Sequence, residues 1–397
     1  MSKNSENNLV FLGAKRNAFG AFGGSIKDIN LADLGASCSK AALVQAGVDP
    51  KEVGHVIFGN VLQSSVDSIY VARHVGLKAG VPIETPSLGI NRLCGSGFQT
   101  IVDAQQQMWA GDTEVALVGG VENMSMTPYV LRNVRWGNKM GHAQTEDYLM
   151  AALVDSYCGC PMAITAENLA VKHSLSREKV DEFAYQSQMR AKAATEKNLF
   201  KDEIAPITIA SKKGDVIFDK DEHPKPQTTL EALAKLKPVF KEGGVVTGGT
   251  ASGIVDGAAA MVVATEAYAK RKNLKPLGRL VSYGIAGVDP NVMGIGPVPA
   301  SQNALKRAGM TLSQMDLIEV NEAFGAQFLA VEKELGFNRE IANVNGGAIA
   351  IGHPLAASGT RITMHLLYEL KRRGKRFGLG SACIGGGQGI AVIVEAY

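Results

Sequence analysis

Ala42-Leu43-Val44-Gln45-Ala46-Gly47, a short link, and then Val56-Ile57-Phe58 form the stretch on which the fold turns, because the chain repeats it. The second copy reads Ala304-Leu305-Lys306-Arg307-Ala308-Gly309, a link of equal length, and Ile318-Glu319-Val320 (309 − 47 = 262). In each copy a helical pattern stops at a glycine and a short apolar strand follows. Further on, Ala116-Leu117-Val118-Gly119-Gly120 aligns with Leu379-Gly380-Ser381-Ala382-Cys383, at an offset of 383 − 120 = 263. Self-similarity at such a period is the mark of duplication, and it predicts two halves of like fold.

Working outward, residues 10–14 read as a buried strand, and Leu31, Leu34, Cys38, Ala41 and Ala42 recur at helical spacing, which puts Cys38 on a core face. Residues 53–58, 115–120 and 259–264 read as strands, with Thr265 placed to cap the next helix. The extended run 85–90 leads into a helical one at 98–108. Strands alternating with helices predict a layered α/β fold with a parallel or mixed sheet. From 121 to about 250 the texture changes: Trp136, scattered Met and Pro, helices at 163–173 and 177–198, a charged hairpin near 212–223, and Thr228-x-x-Glu231 as a capping box for a helix that Pro238 ends. The division expected is a half at 1–120 completed by 251–272, an inserted unit at 121–250, and a second half at 273–397.

Composition narrows the class. With 397 residues, 46% hydrophobic and 20% charged, the chain is long enough for generous cores and is not a disordered one. A net charge of +3 gives no case for nucleic acid, and Lys371-Arg372-Arg373 reads as the polar end of a helix. Five cysteines make no disulfide framework, so a reducing compartment is expected. No apolar run reaches membrane length and the start lacks a signal core, so the default expectation is a cytoplasmic protein.

Chemistry concentrates at the repeat's junctions. Asn91-Arg92-Leu93-Cys94-Gly95-Ser96-Gly97-Phe98-Gln99 sets one thiol near a helix start, where orphan N–H groups favour an anion and should bring the pKa below the free value of about 8.5. Gly95 and Gly97 are expected to let the backbone approach a substrate and take positive φ. The offset carries Cys94 to about 356, inside Gly352-His353-Pro354-Leu355-Ala356-Ala357-Ser358-Gly359. If the halves pack about a pseudo-twofold axis, the two junctions meet. Cys383 ends an apolar strand before Gly385, Gly386 and Gly387, whose N–H groups could bind an oxyanion. A lone Cys or His is more often structural, and it is the equivalence of these positions that argues for a site.

At these residues the sequence resembles the thiolases. Asn-Arg-Leu-Cys94-Gly-Ser-Gly, Asn321-Glu-Ala-Phe, Asn345-Gly-Gly-Ala-Ile-Ala-Ile-Gly-His353-Pro and Cys383-Ile-Gly-Gly-Gly-Gln-Gly match that family's signatures in order, and the likeness covers essentially the whole chain. Gly294-Ile-Gly-Pro-Val-Pro and Pro161-Met-Ala-Ile-Thr-Ala-Glu-Asn look closest to its mitochondrial-matrix 3-ketoacyl-CoA branch. The resemblance implies two βαβαβαββ halves in a five-layered α-β-α-β-α core with an inserted CoA-binding loop domain. It implies Cys94 as nucleophile, His353 as its base, Cys383 as acid/base, and oxyanion holes from His353 with a water on Asn321 and from the N–H groups of Cys94 and Gly385. For coenzyme A, a co-substrate and not a tightly bound cofactor, it points to Ser252, Lys225, Met162, Leu236, Phe240 and Phe324. A homo-oligomer, a dimer of dimers, is also implied, with the mitochondrial matrix as the alternative location.

Some positions depart from the family pattern. Thr250 and Val255 replace frequent asparagines, Lys225 replaces an arginine, and Ala356-Ala357 replaces a glycine pair, where alanine would be strained if φ were positive. Pro161-Met162 stands where acetoacetyl-CoA enzymes tend to carry His-Met. Leu236 and Phe240 read equally well as ordinary helix packing, and Cys158-Gly-Cys160 lacks a second ligand pair, so no metal is expected. The expected activity is thiolytic cleavage of 3-ketoacyl-CoA. The alternatives are biosynthetic condensation of two acetyl-CoA and, outside enzymes, a silent acyl-CoA-binding protein.

Overall fold

The computed structural model describes residues 7–211 and 214–397. The first half holds β1 (Leu9–Arg16), α1 (Leu31–Ala46), β2 (His55–Gly59), α2 (Val71–Ala79), β3 (Ser87–Ile90), α3 (Ser96–Ala110) and β4 (Val115–Glu122). Helices α4 (Met162–His173) and α5 (Arg177–Glu196) follow, and then β5 (Val255–Thr265). The second half holds β6 (Gly278–Gly287), α6 (Pro297–Ala308), β7 (Leu317–Val320), α7 (Gly325–Leu335), α8 (Leu355–Arg373), β8 (Phe377–Ile384) and β9 (Gln388–Ala396).

The repeat is real in three dimensions. α1 ends at Gly47 with φ 64 and ψ 30, and α6 ends at Gly309 with φ 66 and ψ 30, a left-handed cap that favours glycine. In the first half β2 pairs parallel with β4, His55 opposite Ala116; in the second β7 pairs parallel with β8, Leu317 opposite Gly378. Both partners are displaced by the same amount (317 − 55 = 262 and 378 − 116 = 262), so the offset of 263 inferred for this strand is one too many. The strands follow one hydrogen-bonded order, β3-β2-β4-β5-β1-β6-β9-β8-β7, which divides between β1 and β6 into a sheet for each half. The second half's missing edge strand survives as a single parallel bridge, Ile318 to Ala342. The two sheets touch at one corner, where only Val10 and Phe11 of β1 pair with Arg279 and Gly278 of β6.

Alternation along the strands sorts the core into three layers. Ala258, Ala260, Val262 and Ala264 of β5 pack outward on α1 and α2, while Ala259, Met261 and Val263 pack inward. On β9, Ile390, Val392 and Val394 face inward and Ala391 and Ile393 pack outward with α6 and α7. Phe98, Ile101 and Met108 of α3 and Ile362, Leu366 and Leu370 of α8 fill the space between the sheets. Each such side chain contributes about 1.5–3 kcal/mol by leaving water. The result is the five-layered α-β-α-β-α arrangement expected.

The two central helices cross with backbones in contact. A Cβ on Gly97 would stand 2.6 Å from Thr360 N, and one on Gly359 would stand 2.3 Å from Phe98 N. These contacts are reciprocal under the repeat, which locates the pseudo-twofold between α3 and α8. Gly95 and Gly97 therefore make room for the other half, not for substrate, and neither has positive φ. Ala356 and Ala357 lie in the right-handed first turn of α8, so the strain considered for them does not arise.

Between β4 and β5 the chain is irregular. Thr229, not Thr228, caps the short helix Leu230–Ala234 by accepting from Ala232 N, and that helix ends before Pro238. Ile207–Ile209 pairs with Val216–Phe218 as a hairpin; Lys212 and Lys213 lie outside the described residues. Thr265 caps Glu266–Arg271 as expected. Cys38 is buried in α1, its thiol donating to Gly35 O.

Candidate active site

Cys94 lies on the 3₁₀ turn Leu93–Gly95 just ahead of α3. Leu93 holds φ 47, a left-handed conformation that costs a leucine on the order of 1–3 kcal/mol unless its surroundings enforce it. They do: Leu93 N–H donates to Asn91 Oδ1 at 3.0 Å, and Ser96 Oγ donates to Leu93 O at 2.7 Å. The turn presents the half-buried thiol to the end of β8, where the backbone N–H of Gly385 donates to it. Burial nevertheless dominates and raises the Cys94 pKa to about 11, opposed by the N–H groups of Gly385 and Cys94 and helped by Glu122. The thiolate expected from a helix start is therefore not the resting form.

His353 precedes α8, its N–H donating to Gly253 O at 2.9 Å. The ring is buried and held at both nitrogens. Nδ1 lies 2.6 Å from Ser358 Oγ, and Nε2 lies 3.3 Å from Asn321 Nδ2. Asn321 follows β7, fixed by its own N–H to Ser381 O at 2.9 Å. With an amide NH₂ against Nε2, that nitrogen is the acceptor and Nδ1–H donates to Ser358. Asn321 Oδ1 is buried without a hydrogen-bond partner among the described residues. Burial, and then the Arg361 guanidinium, lower the His353 pKa to about 3, so the imidazole is neutral. Cys383, wholly buried at the end of β8, is pushed well up by burial and by Cys94.

Cys94, His353, Cys383 and Gly385 converge on the wall of one cavity of about 890 Å³. Ser252, Met162, Phe240 and Phe324 line it too, so eight of the eleven residues singled out in the sequence share it. Asn321 stands behind His353, while Leu236 and Lys225 lie off the cavity. Leu236 is exposed, with its carbonyl accepting from Arg177 Nη2 at 2.8 Å; Lys225 is exposed, with its N–H donating to Gln188 Oε1 at 2.9 Å. Sequence reasoning missed the apolar wall of Leu62, Met124, Tyr148 and Met150, which carries no motif. It also missed Ser358, though that residue sits in the quoted His353 stretch. Among the described residues no group of three His, Cys, Asp or Glu could hold a metal ion.

Two half-domains, a cysteine and a histidine at equivalent junctions, and a cavity between them define a thiolase, and the chain belongs to that family. The thiolase N-terminal domain matches residues 9–267 and the thiolase C-terminal domain residues 274–396. It is accordingly an acyltransferase. Human mitochondrial 3-ketoacyl-CoA thiolase is 56% identical over 389 residues, 98% of each chain. A crystal structure of the human enzyme matches with a TM-score of 0.97 over 99% of this chain and 100% of that one, and one in complex with CoA matches at 0.96 over 99% of each. An acetyl-CoA acetyltransferase of Syntrophomonas wolfei is 47% identical over 98% of this chain and 99% of its own. The mitochondrial names lend no support to the cytoplasmic expectation. No described helix is long and apolar enough to cross a membrane.

Proposed function

We propose that the protein cleaves 3-ketoacyl-CoA with CoA, releasing acetyl-CoA and a shortened acyl-CoA in fatty-acid β-oxidation. The observation that carries this is the convergence of Cys94, His353, Cys383 and Gly385 on one apolar cavity large enough for an acyl chain. Neutral His353 takes the Cys94 proton at Nε2 as Sγ attacks the 3-keto carbon. The tetrahedral oxyanion meets Nε2–H, now protonated, and a water on Asn321. The C2–C3 bond breaks, and Cys383 protonates the departing carbon to give acetyl-CoA. A thiol with a raised pKa suits this step, since it keeps its proton until a carbanion asks for it. The Cys383 thiolate takes the thiol proton of an incoming CoA, whose sulfur attacks the Cys94 thioester. The oxyanion faces the N–H groups of Cys94 and Gly385. Its collapse releases the shortened acyl-CoA and expels Cys94 Sγ, which recovers its proton from His353 Nε2. Losing one such donor typically costs about 2.7–4 kcal/mol.

CoA itself is assigned to the cavity wall formed by Met162, Phe240, Ser252 and Phe324, with Leu236 and Lys225 left at its outer approach. The domain division at 120, 250 and 273 belongs to the same reading. A homo-oligomer is supported by exposed Leu88 on β3, whose outer edge has no partner strand among the described residues, and by exposed Trp136 and Met140. The names of the mitochondrial relatives favour the matrix alternative for location. Thiolysis rates against 3-ketoacyl-CoA chain length test the function: activity on chains longer than acetoacetyl-CoA is expected, and activity confined to acetoacetyl-CoA would favour the biosynthetic reading. An acyl group trapped on Cys94 by mass spectrometry excludes the silent binder.

A further inference from the structure

The helix starts that meet at the site are each gripped by a strand end of the opposite half. Under the 262-residue repeat Ala356 is the counterpart of Cys94 (94 + 262 = 356), and β4 is the counterpart of β8. At the end of β8 the Gly385 N–H crosses to Cys94. At the end of β4 the crossing contact comes from Glu122, whose Oε2 accepts the Ala356 N–H at 3.2 Å. The same carboxylate accepts from Leu62 N at 2.9 Å, Val61 N at 3.2 Å and Asn60 Nδ2 at 3.0 Å. Gly120, two residues earlier, permits the approach: a Cβ there would stand 2.0 Å from Ala356 O.

Glu122 is wholly buried, and all four of these donors are uncharged. α8 receives no side-chain cap from Pro354 at its own start, so Glu122 supplies from the other half the negative partner that a helix N-terminus lacks. Burial holds its pKa up at about 7 against the pull of the Leu62, Ala356 and Val61 N–H groups. One carboxylate thus joins two things. The first turn of α8 carries Ser358, which holds the His353 ring; Leu62 and Val61 form the wall beside Cys94.

We propose that Glu122 is a positioning residue for acyl transfer, setting the His353 ring against the Cys94 turn by capping α8 from the opposite half. The assignment rests on the reading of Cys94 and His353 as the reacting pair. A misplacement of about 1 Å between reacting groups can cost about 10²-fold in rate, and Glu122 controls that separation without touching substrate.

Two variants of the full-length protein test it. Glu122→Gln keeps the shape but turns an NH₂ toward the N–H donors; Glu122→Asp keeps the charge but shortens the reach by one methylene. Both are expected to lower kcat by about 10- to 100-fold with KM for CoA within about threefold, because the CoA wall is not tied to Glu122. Iodoacetamide should alkylate Cys94 in Glu122→Gln at least as fast as in the parent, since a negative neighbour of the thiol has gone. Unchanged kcat in both variants overturns the assignment. So do a parallel rise in KM, slowed alkylation, or loss of fold in both variants, which would make Glu122 a stability element only. Cys94→Ala and His353→Ala are assayed alongside: if they remain active, the reading of the site fails; if they are inactive while the Glu122 variants are not, only the positioning role fails.

Discussion

At the start of α3, Cys94 is half-buried, faces the cavity and receives one N–H from across the halves; at the start of α8, His353 is buried and held at both ring nitrogens. The two turns occupy equivalent places in the repeat frame, 262 residues apart, with Leu93, Ser96 and Gly97 recurring as Leu355, Ser358 and Gly359, but Leu93 is left-handed where Leu355 already lies in α8. Ser96 spends its hydroxyl inside its own turn, on Leu93 O, while Ser358 Oγ accepts the His353 Nδ1–H. The frame brings nucleophile and base together; the polar contacts make one of them free and the other fixed. Proximity is inherited from the fold, and chemistry is set by where a few hydroxyls and amides point.

Removing the free member breaks the comparison most. Cys94→Ala should lower kcat on the order of 10⁶-fold, as loss of an enzymic nucleophile does, with CoA binding retained in calorimetry. On the fixed side, Asn321→Ala should lower kcat by about 10²–10³-fold, the cost of one oxyanion donor, with KM little changed. The shared frame is tested by Gly97→Ala and Gly359→Ala. Each drives a methyl into the opposite backbone, and urea denaturation should show nearly equal losses of at least about 1–3 kcal/mol. Unequal losses would show that the pseudo-twofold does not govern packing there. Ser358→Ala frees one ring nitrogen and should slow kcat about tenfold, near the worth of one hydrogen bond.

The gentlest test alters nothing in the chain. A raised pKa keeps the neutral thiol to higher pH, so alkylation of Cys94 should climb about tenfold per pH unit through neutrality and level off only near pH 11. A plateau near pH 7 would return the thiolate. His353, lowered to about 3, should stay neutral and add no inflection between pH 5 and pH 8.

The fold was legible because duplication leaves a spacing that survives sequence drift: Gly47 and Gly309 are both obligatory left-handed caps. Cys94, His353 and Cys383 were legible because unusual residue types stand at equivalent ends of repeated elements. The thiol's state was not. The N–H groups of α3 begin at Ser96, past the 3₁₀ turn, and the low-dielectric cavity outweighs the two N–H donors that reach sulfur. Glu122 and Ser358 escaped because their partners lie in the other half or in a ring whose orientation no spacing records. Leu236 was named through the resemblance to the thiolases and reads equally well as helix packing, yet the helix Leu230–Ala234 stops short of it.

Divergence of the halves also fixes a stoichiometry. The constellation related by the pseudo-twofold would need a base at Asn91 and a nucleophile at Ala356, and the chain has neither. Fusion of two copies has thus left one working centre where a symmetric pair would have two. Each chain should carry a single acyl group at saturation, and the burst amplitude of a rapid-mixing experiment should count chains, not halves.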